Sequence, residues 1–260
     1  ERKDPLQIFT QIHGIGPKKA QVLIEKGITT IDELRHEVTL HNDLLNDNQK
    51  NGLKYFDDIS QRIPRDIIDQ YKSIFQSTVA SLNDEGISID IVGSYRRNTP
   101  SSGDIDVVLT HKENKSSIFT EFLDRLSSQG IILEFLTKGK VKSLTITKMN
   151  HDIARRVDFL YAPPDEYSFA KLYFTGSKGF NTVMRHRALQ FGYTLNEHGF
   201  SKMEGKIKGN KMTLIEFPDE KSIFDFLKME FKEPHERKDG RAVVSSNGSP
   251  IIMKKVVKVG

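Results

Sequence analysis

The stretch Gly103-Asp104-Ile105-Asp106-Val107-Val108-Leu109 constrains this chain more than any other. A β-strand sends successive side chains to opposite faces, so Asp104 and Asp106 share one side while Ile105 and Val107 take the other. The apolar side needs a covering layer. The acidic side needs a counter-charge, because two carboxylates at that spacing raise each other's proton affinity. A sheet with one buried face is therefore expected, with a divalent cation between the acids on the other. Magnesium suits hard carboxylate oxygens and binds with few protein ligands plus substrate phosphates. A third acid, Asp158 in Arg155-Arg156-Val157-Asp158-Phe159-Leu160, alternates in the same way and can complete the site from a nearby strand. Taken singly, each of these acids reads equally well as a solvated strand edge.

The periodicity changes class along the chain. Residues 1 to about 60 carry apolar positions at helical spacing, joined by glycine turns, and read as a small helical unit. Pro17 suits the first position of a helix, Ala20, Leu23 and Ile24 form its apolar face, and Gly27 suits the left-handed residue that ends it. Thr30 and Glu33 form a capping box for the next helix. A helical pattern over 62–85 leads into the first alternating strand, Ile87 to Val92. Strands follow at 104–110, 131–137, 141–147 and 153–161, with a helix at 117–129, which makes a mixed sheet with helical support. A second α/β piece holds a helix near 179–191, hairpin-like segments over 193–215, a turn at Pro218-Asp219 and a helix over 220–227. The expectation is an α+β chain with a helical unit at 1–60, a mixed-sheet unit at 61–163, a small α/β unit at 164–239 and a tail of unknown role at 240–260.

The 260 residues include no cysteine, which excludes disulfides, thiolate zinc sites and cysteine nucleophiles. No run approaches the roughly 18 apolar residues of a membrane helix, so no membrane partner is expected. A formal net charge of +4 favours a polyanionic partner without naming one. The distribution says more. Cations recur at Gly16-Pro17-Lys18-Lys19, Tyr95-Arg96-Arg97, Lys138-Gly139-Lys140-Val141-Lys142 and Arg185-His186-Arg187, several of them beside glycines, where backbone and cation can meet one phosphate. The start at Glu1-Arg2-Lys3-Asp4-Pro5, with neither initiator Met nor signal run, reads as a piece of a longer, intracellular chain.

Directly after the first strand comes Gly93-Ser94-Tyr95-Arg96-Arg97. A small-residue turn there leaves backbone N–H groups and the Ser94 hydroxyl free for phosphate oxygens, and Arg97 adds charge. Joined to Gly103-Asp104-Ile105-Asp106, it describes a triphosphate held over metal-bearing carboxylates. On these residues the chain resembles the DNA polymerase beta family, also called family X. Arg155-Arg156-Val157-Asp158 is similar to that family's third-carboxylate strand. Leu172-Tyr173-Phe174-Thr175-Gly176-Ser177, followed by Asn181 and Arg185, is similar to the segment that closes over the incoming nucleotide. Lys232-Glu233-Pro234-His235-Glu236-Arg237 resembles its C-terminal signature.

The resemblance implies a helix-hairpin-helix subdomain, a nucleotidyltransferase-type mixed β-sheet palm and a small α/β nucleotide-closing subdomain. It implies a template-directed DNA polymerase that extends a primer by two-metal phosphoryl transfer, filling short gaps in repair. Asp104 and Asp106 would bridge two Mg²⁺ ions, with Mn²⁺ able to substitute, and Asp158 would hold the catalytic one. Arg62, Gly93, Ser94, Arg97 and Gly103 would hold the triphosphate. Tyr173, Phe174 and Gly176 would pack against the deoxyribose and disfavour ribonucleotides. Lys178 departs from the acidic or small residue of relatives and would add a cation to the nucleotide. Asn181 and Arg185, at i and i+4 on one helix face, would reach the new pair and the template. Arg156 would sit beside the primer terminus, with Lys142 and Lys18 as further DNA contacts. Thr10-Gln11-Ile12-His13-Gly14-Ile15-Gly16-Pro17 resembles a helix-hairpin-helix. Gly14 and Gly16 would offer backbone N–H groups to a DNA phosphate, and the carbonyls of Thr10, Ile12 and Ile15 would share a Na⁺ or K⁺ with the DNA. Primed or gapped double-stranded DNA and dNTPs are the implied partners of a monomer, nuclear if the source is eukaryotic. The relatives' N-terminal lyase domain would precede residue 1, so no lyase activity is expected of this stretch.

Two other readings share parts of this pattern. A template-independent terminal transferase would keep the carboxylates and the phosphate turn. A noncatalytic DNA-binding scaffold would not need all three acids. Tyr-Phe-Thr-Gly and the compact connection between 137 and 145 resemble the gap-filling relatives more than the template-independent ones, and that resemblance implies templated synthesis.

Overall fold

The computed structural model describes residues 3–253; Glu1, Arg2 and the end of the tail, 254–260, lie outside the described residues. The chain opens with five helices: α1 (Pro5–Thr10), α2 (Pro17–Glu25), α3 (Ile31–Leu40), α4 (Asp47–Lys54) and α5 (Phe56–Ile59). Pro17 occupies the start of α2 behind Gly16 as N-cap, and Gly27 follows its end in the left-handed region. Thr30 caps α3 by accepting from the Glu33 N–H at 3.1 Å, but Glu33 reaches back to the N–H of Thr29 at 2.9 Å, one residue before the position a capping box would use. The helices close over a small core of Phe9, Ile12, Ala20, Leu23, Leu34 and Leu53.

The helix expected from residue 62 begins later, because Ile63–Pro64 forms a short strand, β1, that pairs with β3 (Ser101–Ser102). Pro64 has no N–H for a helix and instead caps α6 (Arg65–Ser81). After α6 come β2 (Ile87–Ile91), a single helical turn α7 (Gly93–Arg96), β4 (Ile105–His111), α8 (Ser117–Ser128), β5 (Ile132–Lys138), β6 (Lys142–Thr147) and β7 (Arg155–Tyr161). The five longer strands make one sheet in the order β2-β4-β7-β6-β5. Only β4 and β7 run parallel, and their register sets Asp106 opposite Asp158. Helices α6 and α8 cover one face. Phe75 meets Phe159 edge-on with centroids 5.5 Å apart, and Phe122 meets the same ring at 5.8 Å, so β7 is held by aromatic contact as well as by burial.

A third unit follows: α9 (Tyr167–Thr175), α10 (Lys178–Gln190), a meander of β8 (Tyr193–Asn196), β9 (Gly199–Glu204) and β10 (Ile207–Lys211), and α11 (Glu220–Phe226). Asp219, expected only as a turn residue, caps α11 by accepting from the Ser222 N–H at 2.8 Å. The core gathers Phe169, Phe180, Phe200, Phe224 and Leu227. Within the expected tail, Val243 belongs to this core and Ile251 packs against it. The backbone explains why: Ser245 bridges to Met229, and the Glu230 N–H donates to the Val244 carbonyl at 3.0 Å.

Candidate active site

Asp106 projects from β4 and Asp158 from β7 at matching positions of the parallel pair, while Asp104 sits immediately before β4. One carboxylate oxygen from each lies within 4.8 Å of the other two. Among the described residues, one cation forms an ion pair with these three acids. Arg156 Nη2 donates to Asp158 at 2.7 Å. Arg62 and Lys142 act from further out. The residual charge appears in the proton affinities. Asp106 is pushed up to about 7, by burial first and then by Asp104 and Asp158. Asp158 rises to about 6, again chiefly through burial, with Arg156 pulling the other way. Asp104 is also raised, by the loss of water within the cleft, against the pull of Arg156 and Arg62. Three converging hard oxygens with unneutralised charge fit a divalent ion of the magnesium class, and neither sulfur nor imidazole is among the donors.

Beside the acids lies the turn that follows β2. Gly93 has φ +66°, and a Cβ there would stand 3.1 Å from Asp106 Oδ2, so glycine serves both the conformation and the close approach. The Ser94 hydroxyl donates to Ser102 Oγ at 2.6 Å. Arg62 Nε and Nη2 donate to Ser101 at 3.2 and 2.9 Å, which lays its guanidinium 3.5 Å from where a Gly103 Cβ would be. Arg97 Nη1 donates to the Thr175 carbonyl at 2.6 Å, tying the turn to the end of α9.

That end of α9 carries Tyr173 and Phe174, whose rings meet edge-on at 5.0 Å, and then Gly176 at φ +66°. Asn181 Nδ2 donates to the Tyr173 carbonyl at 2.7 Å, and Tyr173, Asn181 and Arg185 line one small crevice. Lys178 and Lys18 stand exposed, and neither makes an ion pair among the described residues. In the helical unit, Thr10, Ile12, Gly14, Ile15, Gly16 and Ser60 line a groove that also includes Arg156, so it opens beside the carboxylates. The hairpin turn is held by Gln49, whose Nε2 donates to the Gly14 carbonyl at 2.9 Å, and by Gly52, where a Cβ would fall 2.5 Å from the His13 carbonyl.

Sequence reasoning missed a buried charge cluster behind the turn. Arg96 and Arg237 both bind Glu220, Arg237 Nη1 at 2.6 Å and Arg96 through both its terminal nitrogens, and Arg96 also donates to Thr175 Oγ1 at 2.9 Å. Burial pushes the Glu220 carboxyl up, but the two guanidinium groups hold it below its ordinary value. Arg237 is fully buried, within 5.2 Å of the Phe224 ring centroid. The only sequence signal was its place in Lys232–Arg237.

Family models match along most of the chain: the fingers domain of DNA polymerase lambda over residues 7–60, the DNA polymerase beta palm over 62–164 and the DNA polymerase beta thumb over 170–238. The chain belongs to the DNA polymerase beta family. Within family X, it is 34% identical over 254 residues to the DNA polymerase lambda of Arabidopsis thaliana, a match that takes in 91% of this chain and 47% of that protein. The DNA polymerase lambda of Rattus norvegicus is 31% identical over 248 residues, 89% of this chain and 42% of its own length. The DNA-directed DNA/RNA polymerase mu of Homo sapiens is 26% identical over 272 residues, 91% of this chain and 53% of that protein. The chain thus spans about half the length of the curated relatives it matches.

Proposed function

We propose that this chain is the catalytic core of a template-directed DNA polymerase that adds dNTPs to a primer 3′-hydroxyl. The observation that carries the reading is the convergence of Asp104, Asp106 and Asp158 within 4.8 Å beside a glycine turn suited to phosphate. Two relatives named DNA polymerase lambda support it. The helical unit 1–60 would grip DNA, the mixed-sheet unit 61–163 would carry the chemistry, and 164–239 would select the nucleotide.

Asp104 and Asp106 would hold both divalent ions and Asp158 one of them. When bound, such ions supply charge neutralisation on the triphosphate and a lowered pKa for the attacking hydroxyl. The chain's own residues supply position. Arg156 is hydrogen-bonded to Asp158, so it would orient that carboxylate and sit beside the primer end. Gly93, Ser94, Arg97, Arg62 and Gly103 would hold the triphosphate. Arg97 would do so from a perch on the Thr175 carbonyl, so nucleotide binding and the α9 end would be felt together. Tyr173, Phe174 and Gly176 would wall the sugar, and Lys178, Asn181 and Arg185 would line the nucleotide and template side. Gly14, Gly16, Lys18 and Lys142 would contact DNA phosphates, with Na⁺ or K⁺ at the carbonyls of Thr10, Ile12 and Ile15. A monomer acting in gap repair, nuclear if the source is eukaryotic, is the biological setting we infer.

The test is one primer-extension panel with Mg²⁺: gapped, open-template and single-stranded substrates, each with dNTPs and with rNTPs. Templated dNTP addition that is fastest on the gap supports the reading. Equal extension of the lone single strand replaces it with terminal transfer, and no addition to any substrate ends it.

A further inference from the structure

Arg155 points away from the carboxylates. On β7 it shares the helix-facing side with Val157 and Phe159, and only 5% of it is exposed. A guanidinium there must have its donors met. Each of its three nitrogens has one partner: Nε and Nη2 donate to the two oxygens of Asp152, each at 3.0 Å, and Nη1 donates to the backbone carbonyl of Arg62 at 3.1 Å. The Asp152 side chain is itself 9% exposed. Its loop is pinned to α5, where Asp58 accepts the Ala154 N–H at 3.1 Å. The bidentate pair fixes the guanidinium plane, and that plane aims one N–H at one carbonyl. Arg62 is therefore gripped twice, by Arg155 at its backbone and by Ser101 at its side chain.

We propose that Arg155, oriented by Asp152, is a positioning residue that holds Arg62 where its guanidinium can meet the triphosphate of the incoming nucleotide. The inference rests on the reading that Arg62 binds that triphosphate. A lysine cannot substitute, since a single ammonium cannot span two carboxylate oxygens and a carbonyl at fixed angles.

The experiment measures the dissociation constant of dATP, by calorimetry, for the complex of the chain with a primed template whose primer ends in a dideoxynucleotide, so that binding is read without turnover. The variants are Arg155→Met, Arg155→Lys, Arg62→Ala and the double Arg62→Ala/Arg155→Met. Either Arg155 change is expected to weaken dATP about tenfold, the worth of one charge-assisted hydrogen bond. In the Arg62→Ala background, Arg155→Met is expected to change the constant by less than about twofold, since it has nothing left to position. Equal weakening in both backgrounds, or none in either, overturns the proposal while leaving the polymerase reading intact. Arg62→Ala with unchanged dATP binding removes the underlying reading and the proposal with it. Should the Arg155 variants melt early, Asp152→Asn serves instead: weakening of about threefold that vanishes with Arg62→Ala supports the clasp, and weakening that persists refutes it.

Discussion

Replacing Asp106 by Asn tests the electrostatics of the site without reference to catalysis. In the metal-free protein Asp106 is held at about 7, against an ordinary value of 3.8, by burial and then by Asp104 and Asp158. Between those two values the folded chain keeps a proton that the unfolded chain has released. Stability from this group is therefore full below the unfolded value and is lost as the pH rises towards 7. At about 1.4 kcal/mol per tenfold in proton affinity, the cost above pH 7 is at most about 4 kcal/mol, and proton sharing within the trio brings it to on the order of 2 kcal/mol. Asparagine matches the protonated acid in shape and carries no charge. Asp106→Asn is thus expected to raise the Tm by several degrees at about pH 8 in a chelator, a gain that shrinks towards zero as the pH falls to about 4. Saturating Mg²⁺ reverses the order, stabilising the wild type and leaving the variant nearly unchanged, because a ligand that binds the folded state raises its stability with the logarithm of its concentration over its dissociation constant. Thermal melts across pH, with and without Mg²⁺, read all of this. A variant no more stable than the wild type in chelator at about pH 8, or one stabilised equally by Mg²⁺, refutes the reasoning.

Other outcomes follow from single contacts. Gly93→Ala places a Cβ 3.1 Å from Asp106 Oδ2 at φ +66°, and is expected to cut the incorporation rate about a hundredfold by misplacing that carboxylate, with a loss of only about 1–2 kcal/mol in denaturant melts. Glu220→Gln removes the one carboxylate bonded to both Arg96 and Arg237, so unfolding titrations should register about 3 kcal/mol of destabilisation; a change under about 1 kcal/mol would mean the cluster is better hydrated than its burial indicates. Gly52→Ala sets a Cβ 2.5 Å from the His13 carbonyl and must push α4 off the hairpin turn. Primed-DNA affinity should fall about tenfold, with turnover at saturating DNA retained. Lys178→Ala should raise the nucleotide KM about threefold, the size of one exposed charge contact, and an unchanged KM would dismiss its role.

The shared face of Asp104 and Asp106 was legible in the sequence because side-chain alternation along a strand is fixed by covalent geometry. That β7 lies beside β4 was not. The two strands are separated by α8 and a hairpin, and nothing local says which edge of the hairpin returns to the sheet; the resemblance carried that step. Helix α9 went unread because Tyr167–Thr175 is apolar nearly all round and gives neither period, being packed between the sheet and the third core. The cluster of Arg96, Glu220 and Arg237 was invisible for a different reason. Each residue looks like ordinary surface charge until three distant stretches of chain bury it together. Arg155 was quoted only as part of a motif, because its partner is a backbone carbonyl, which no side-chain pattern announces.

The most direct measurement is rapid-quench incorporation of one complementary dNTP on a single-nucleotide gap with Mg²⁺, comparing the wild type with Asp104→Ala, Asp106→Ala and Asp158→Ala. The account predicts templated addition by the wild type, and a loss of at least about a thousandfold in each variant, since each acid carries charge in the same transition state. Wild-type rates in the Asp158→Ala chain, with DNA and dNTP binding unaltered, would contradict it.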